Sequence, residues 1–226
     1  MSVSQFVVGA FRLAATRFPE LHENWVRISY EVGGLLPNSL LLVSIQRAGE
    51  LDLVLRCMED DFPMLSEENH EVSMFGGHYQ VMLSELWIGT VYEIVRAFDE
   101  RKLVKRNDRL SRGNDFEKLN HDLRMLRIPL EKYQIAADNR LSEPLILARE
   151  TASEGEFDRY SYVKGDSERA HIVPTAISTR GSVAWQVIDI QAARSYWLER
   201  RALSERFVSL WVRHDKGLPA QAEIPR

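Results

Sequence analysis

The sequence predicts an α+β protein dominated by helices, and three patterns lead to that fold class. Two long segments in the middle of the chain carry apolar residues at helical spacing. A third amphipathic segment lies close to the C-terminus. Short runs rich in β-branched residues indicate strands. We therefore expect a central antiparallel helical hairpin, a C-terminal helix and a small antiparallel β-sheet.

The helical hairpin spans residues 78–137. Each of its two helices has one wide apolar face, formed by Leu83, Trp87, Val91, Ile94, Val95 and Phe98 in the first and by Phe116, Leu119, Leu123, Leu126, Leu130 and Tyr133 in the second. The polar linker 102–115 suits a turn. Pro129 removes one backbone hydrogen bond from the second helix and should kink it, at a cost of about 3 kcal/mol.

The sheet is expected to combine segments from both ends of the chain. Residues 25–32 alternate in polarity and predict a strand, and the more apolar run 39–46 predicts a second one. Residues 171–178 and 182–190 predict a β-hairpin around Gly181, whose second strand is apolar on both faces and so should be covered on both sides.

The other segments have simpler patterns. Residues 4–18 have a helical stripe that ends near Pro19, and residues 193–214 predict the C-terminal helix. Residues 50–59 fit a helix or a strand, with the helix favoured. Residues 60–77 and 142–169 are polar and are expected to be a connection and a surface loop. We expect one compact domain over 1–226, made of an α/β segment 1–60, the hairpin 78–137 and the segment 171–214.

Composition narrows the class of protein. The chain has 226 residues, a net charge of −4 and 45% hydrophobic residues, which is typical of a globular protein and does not favour wholesale coating of nucleic acid. Cys57 is the single cysteine, so an intrachain disulfide is excluded. The N-terminus lacks the basic region of a signal peptide, and the longest apolar run is too short to span a bilayer. A cytoplasmic protein without a membrane partner is expected.

Charged residues border the apolar faces of the hairpin, where they need partners. The arc beside the first face contains Glu85, Gly89, Tyr92 and Arg96. In an antiparallel hairpin it would face the charged arc of the second helix. The candidate ligand-binding residues are therefore Glu85, Tyr92, Arg96, Arg124, Arg127 and Glu131. Two interpretations stay open: a structural ion-pair network, which is favoured, or an anion or nucleotide site lined by Arg96, Arg124 and Arg127. Arg200 should also need an acidic partner, because it falls between apolar residues of the last helix.

Catalytic and metal motifs are missing from the sequence. It contains no phosphate-binding glycine loop, no H-E-x-x-H and no G-x-S-x-G. Glu67 and His70 form a single E-x-x-H, whereas a di-iron site needs two such motifs. His121 points away from the apolar face and is expected to be solvated. We therefore predict no catalytic residue, no metal and no cofactor, and an enzyme is the less favoured class.

The strings YEIVR, LRIPLEKYQIA, HIVPTAIS and RGSVAWQVID resemble those of a group of uncharacterised bacterial proteins over roughly residues 78–213. The hairpin is also distantly similar to HEPN domains, helical modules of RNA-cleaving toxins and defence proteins. Their catalytic signature is an arginine and a histidine separated by four to six residues, and neither Arg124 nor Arg127 is followed by a histidine at that spacing. Arg17 and His22 have the spacing, but they lie outside the hairpin and Pro19 separates them.

Two functions are expected from these observations. The first is a non-enzymatic binding or regulatory protein that acts as a homo-oligomer or with a protein partner, since catalytic motifs are missing and five tryptophans are present. The alternative is a HEPN-like protein that acts on nucleic acid or binds nucleotides through an arginine cluster between two helices.

Overall fold

The computed structural model describes residues 2–36, 40–68, 70–103, 114–150, 157–164 and 171–211, with backbone only for 63–68, 70–75, 148–150 and 157–158. Helices dominate this part of the chain: α1 Val3–Arg17, α2 Pro19–Leu35, α3 Leu41–Glu68, α4 His70–Glu100, α5 Asp115–Lys132 and α6 Arg200–Ser209. Two small antiparallel sheets follow α5 in the chain. The predicted helix-dominated α+β class is confirmed.

The N-terminal strands were predicted wrongly. Residues 25–32 belong to α2, in which Trp25, Ile28 and Val32 are fully buried at the spacing of one helix face. Residues 39–46 fall mostly in α3, and residue 39 itself lies outside the described part of the chain. The favoured helix over 50–59 is confirmed. The predicted connection at 60–77 is wrong, because α3 and α4 both continue into it.

The central hairpin consists of α4 and α5, which run antiparallel. Arg127 lies opposite Glu93, and Glu131, one turn further along α5, lies opposite Gly89, one turn earlier in α4. Pro129 is inside α5 as predicted, and the helix ends soon after it at Lys132, where Tyr133 takes a left-handed conformation with φ 55°. The second helix is therefore shorter than expected. Residues 104–113 of the predicted linker lie outside the described part of the chain.

Two antiparallel sheets are formed. Strands β1 Leu145–Glu150 and β2 Phe157–Tyr162 pair with each other, so the surface loop expected at 142–169 is wrong for these residues. Strands β3 Thr175–Ile177, β4 Val183–Asp189 and β5 Arg194–Glu199 form the second sheet in the order β3-β4-β5. The predicted hairpin 171–190 is confirmed in β3 and β4. Strand β5 corrects the start of the predicted C-terminal helix, which begins only at Arg200.

The main core lies between the helices and strand β4. Four of its side chains are fully buried tryptophans, namely Trp25, Trp87, Trp185 and Trp211. The Trp25 ring stacks on Phe207 of α6 with centroids 5.1 Å apart. Strand β4 is covered on both faces as expected, since successive residues Val183, Ala184 and Trp185 are all buried. Within the described residues, none of the helices has both the length and the apolar character needed to cross a membrane.

Candidate functional site

A groove runs along the outer side of the α4/α5 hairpin and encloses about 510 Å³. We call it the α4/α5 groove and define it by its lining residues, Met82, Glu85, Leu86, Ile88, Gly89, Thr90, Glu93, Arg127, Leu130 and Glu131. Three of the six predicted site residues are in this list, and a fourth, Tyr92, lies under Arg127. The antiparallel hairpin therefore brings together most of the predicted set.

Arg127 is the one cation in the lining, and its charge is already compensated. Its Nη2 lies 2.8 Å from Glu131 Oε2 and 3.5 Å from Glu93 Oε1. The guanidinium also stands over the Tyr92 ring at 5.5 Å from the centroid. The contact between Arg127 and Glu131 joins residues four apart in one helix, whereas the contact with Glu93 joins the two helices. This arrangement corresponds to the structural ion-pair interpretation of the sequence.

The other two predicted arginines lie elsewhere. Arg96 is exposed, and its guanidinium binds Glu93, 2.6 Å from Nη2, and Glu100, both on its own helix. Arg124 is exposed on α5 outside the α4/α5 groove, in a smaller depression beside Arg140. The three arginines therefore do not line one common cavity.

Carboxylates and apolar side chains dominate the groove. Glu85, Glu93 and Glu131 are in its lining; Glu93 pairs with both Arg96 and Arg127, and Glu131 pairs with Arg127. Glu85 is mostly exposed, yet partial desolvation at the groove raises the pKa of its carboxyl above the ordinary value. Met82 and Leu86 expose 43% and 58% of their surface. An acidic rim around exposed apolar groups suits a basic, apolar segment of a protein better than an anion.

Helix α1 has the opposite character. Val3, Phe6, Ala10 and Leu13 follow one another at i, i+3, i+7 and i+10, which places them in one seam. Val3, Phe6 and Leu13 expose 81%, 62% and 64% of their surface, so most of the seam has no partner within the described chain. The helix contains no acidic residue. The sequence had indicated the apolar stripe of this helix but not that Phe6 would be left in solvent.

A separate cluster of charged side chains is buried inside the protein, between α3 and α6. Arg200 is fully buried with Asp52 and Glu59, which confirms that it needs acidic partners. Its Nε donates to Glu59 Oε1 at 2.9 Å, one Nη donates to Asp52, and the guanidinium lies over the Trp87 ring. Burial alone would raise the pKa of Asp52, but the charges of Arg200 and Arg56 and hydrogen bonds outweigh it and lower the pKa.

This buried cluster leaves little capacity for a ligand. Asp52 also accepts hydrogen bonds from Trp25 Nε1 at 3.0 Å and Ser204 Oγ at 2.7 Å, and Glu59 Oε1 accepts one from Ser182 Oγ at 2.6 Å. The partners come from α2, α3, α6 and the β3–β4 turn. We infer that the cluster determines how these elements pack against one another.

No known protein family, no curated protein and no solved structure matches this chain. The resemblance to uncharacterised bacterial proteins and to HEPN domains therefore stays a prediction, and function has to be inferred from the residues themselves.

Proposed function

We propose that this protein is a non-enzymatic binding or regulatory protein that acts as a homo-oligomer, and that its α4/α5 groove holds helix α1 of a second copy. The observation that carries the proposal is the complementarity of two exposed surfaces of one chain. The lining of the groove has three carboxylates and one guanidinium, whereas α1 has no acid. Of the two arginines of α1, Arg17 already pairs with Asp61 of its own chain at 2.7 Å, and Arg12 forms no ion pair among the described residues.

The apolar parts of the two surfaces also correspond. The seam Val3, Phe6, Ala10 and Leu13 has the spacing with which amphipathic helices enter apolar grooves. Met82 and Leu86 supply exposed apolar surface in the groove. Full burial of an exposed phenylalanine side chain is worth about 1.5–3 kcal/mol, and Phe6 is 62% exposed, so its burial would contribute about five- to twentyfold to the affinity of each contact.

Symmetry determines how far such an assembly extends. If each of two copies places its α1 in the groove of the other, the contacts are reciprocal and the assembly closes as a dimer. If the exchange is not reciprocal, rings or open chains result. A regulatory protein of fixed stoichiometry agrees with the reciprocal arrangement, and we expect a dimer.

The test is a complementation experiment with two surface variants. Phe6→Glu places a charge in the α1 seam, and Leu86→Glu adds a carboxylate to the acidic groove; both residues are exposed, so the fold should survive. Each variant alone should be monomeric by sedimentation equilibrium at concentrations where the wild type is a dimer. When the two are mixed, the intact α1 of the Leu86→Glu chain can occupy the intact groove of the Phe6→Glu chain, and a mixed dimer should form.

The control is Tyr30→Glu, an equally exposed residue of helix α2 that has no part in the proposed contact. It should leave the dimer unchanged. If Phe6→Glu dissociates the dimer and Leu86→Glu does not, α1 pairs with something other than the groove. A monomeric wild type would reject the oligomer altogether.

The HEPN-like alternative is separated from this proposal by a different measurement. Binding of single-stranded RNA through Arg96, Arg124 and Arg127 would be lost in an Arg124→Ala/Arg127→Ala variant and would fall steeply with salt. If the wild type shows no detectable RNA binding and the double variant changes the oligomeric state, the results favour the homo-oligomer over the HEPN-like alternative.

A further inference from the structure

A small depression lies where α5, the short 3-10 helix Asp138–Arg140 and the end of β4 meet. Its volume is about 40 Å³, enough for one compact head group and little more. His121, Arg124, Arg140 and Asp189 are the charged or titratable residues in its lining. The proposed dimer contact makes no use of any of them.

Asp189 forms no ion pair with either arginine of the lining, and both of its oxygens are engaged by other donors. Oδ1 accepts hydrogen bonds from the backbone amides of Gln191 and Ala192 at 3.0 and 3.1 Å, and Oδ2 lies 3.2 Å from His121 Nε2. Burial would raise the pKa of Asp189, but the amides and His121 outweigh it and lower the pKa. The carboxylate is therefore ionised and holds the imidazole in place through Nε2.

The contact with Asp189 leaves Nδ1 of His121 available. In the described part of the chain Nδ1 has no hydrogen-bond partner, and the imidazole side chain is 42% exposed. A ring fixed through one nitrogen presents the other in a defined direction. In its imidazolium form the ring can donate from Nδ1 to an anion.

Arg124 and Arg140 differ from the arginines of the groove and of the buried cluster. Those arginines all face carboxylates, whereas neither Arg124 nor Arg140 forms an ion pair with a carboxylate of the described residues. Both residues line the same depression. Two guanidinium groups with no carboxylate partner among the described residues, beside an oriented imidazole, are suited to a tetrahedral oxyanion with two negative charges.

We propose that this depression binds the phosphate group of a phosphorylated small molecule, with Arg124, Arg140 and His121 as its donors. The rest of the molecule extends past His121 into the adjoining cleft of about 760 Å³ between α5, β5 and α6. Arg194 lies over the Tyr196 ring there at 4.9 Å, which offers a flat cationic surface for an organic group. Asp115 and Glu117 line the cleft nearer the start of α5 and disfavour a second anion.

Calorimetric titration of the full chain with inorganic phosphate and with adenosine monophosphate tests the site. We expect millimolar binding of phosphate, lost at least tenfold in Arg124→Gln/Arg140→Gln. The matched control Arg47→Gln/Arg101→Gln removes two exposed arginines outside the depression and should bind as the wild type does. If phosphate at 50 mM gives no binding, or if both double variants bind equally, the proposal is rejected.

Two further measurements identify the contacts and the source of the phosphate. His121→Gln keeps an N–H donor near the position of Nε2 toward Asp189 and removes the second ring nitrogen, so it should bind phosphate several-fold more weakly at an unchanged melting temperature. In the wild type, phosphate should move the imidazole resonances of His121 observed by NMR, and an unmoved His121 signal at saturating phosphate would contradict the assigned contact. Adenosine monophosphate binding at least tenfold more tightly than phosphate places the organic group in the cleft, whereas equal affinities assign the site to free phosphate. The dimer should persist in every one of these variants, so failure here is distinguishable from failure of the proposed function.

Discussion

Replacing Arg200 with methionine tests the buried ion cluster most directly. The change leaves Asp52 and Glu59 fully buried without their shared cation, and it removes the guanidinium from the face of Trp87. Removing one partner of a buried ion pair costs about 3–5 kcal/mol, because the remaining charge is left uncompensated. Proteins of this kind are stable by about 5–15 kcal/mol, so a large part of the stability should be lost.

The pH dependence of that loss identifies its cause. In the wild type the pKa of Asp52 is below its ordinary value of 3.8. Its contribution to stability is therefore fully present at pH values above 3.8, and it is lost as the pH falls through the lower pKa of the folded state. In the variant, burial dominates and should raise the pKa of Asp52 above the ordinary value. The folded variant then takes up a proton as the pH falls, and the difference in stability from the wild type should shrink.

Urea denaturation at pH 7 and at pH 4.5 measures both effects. Arg206→Met is the matched control, since Arg206 is on the same helix but pairs with Asp122 at the partly exposed surface; it should cost no more than about 1 kcal/mol. Arg200→Lys keeps the charge but cannot bind both acids, and it should cost about 1–3 kcal/mol while remaining folded. A loss below about 1 kcal/mol for Arg200→Met, or the same loss at both pH values, would refute the reasoning.

Three further substitutions or measurements follow from the glycines and the cysteine. Gly181→Ala should lower the free energy of unfolding by more than about 2 kcal/mol in urea denaturation, because φ is 71° and an added Cβ would lie 2.1 Å from the Glu59 carbonyl oxygen. The control is Gly76→Ala: an added Cβ has nothing within 4 Å there, so this change should stabilise the protein by up to about 1 kcal/mol. Gly89→Ala should be neutral or stabilising for the monomer and should weaken the dimer, since the methyl group would enter the α4/α5 groove; an unchanged dimer would contradict the groove contact. The thiol of Cys57 has a pKa raised by burial, so at pH 8 it should react with a thiol reagent more slowly than in urea, and equal rates would contradict that burial.

The helices were predictable wherever one apolar face is long, as in α4 and α5. Residues 25–32 were predicted wrongly because β-branched and aromatic residues there satisfy both periodicities over eight positions. The alternating set includes Tyr30, which is 65% exposed, whereas Trp25, Ile28 and Val32 are fully buried. Tertiary packing on α3 decides between the two patterns, and a single sequence contains no direct record of that packing.

The contacts of the charged residues likewise fall into some that the sequence predicts and some that it does not. The pair Arg127 and Glu131 follows from helical spacing, whereas Glu93, which contacts Arg127 across the two helices, was not among the predicted residues. The buried cluster joins Arg200 to Glu59 and Asp52 across 141 and 148 residues, and the imidazole of His121 meets a carboxylate 68 residues away. Spacing within an element contains no information about contacts over such separations.

The position where β5 ends and α6 begins shows how the buried cluster acts on local structure. The run from Arg194 to Ser209 has no glycine or proline to separate strand from helix, and its composition suits a helix throughout. The change occurs between Glu199 and Arg200: Glu199 accepts a hydrogen bond from Ser178 Oγ and pairs with Arg180, while Arg200 enters the core toward α3. Opposite charges on adjacent residues thus tie the chain to two different partners at the same point. These long-range contacts and the pairing of β5 with β4 are not visible in the spacing of the segment, which is why a continuous helix was the wrong prediction.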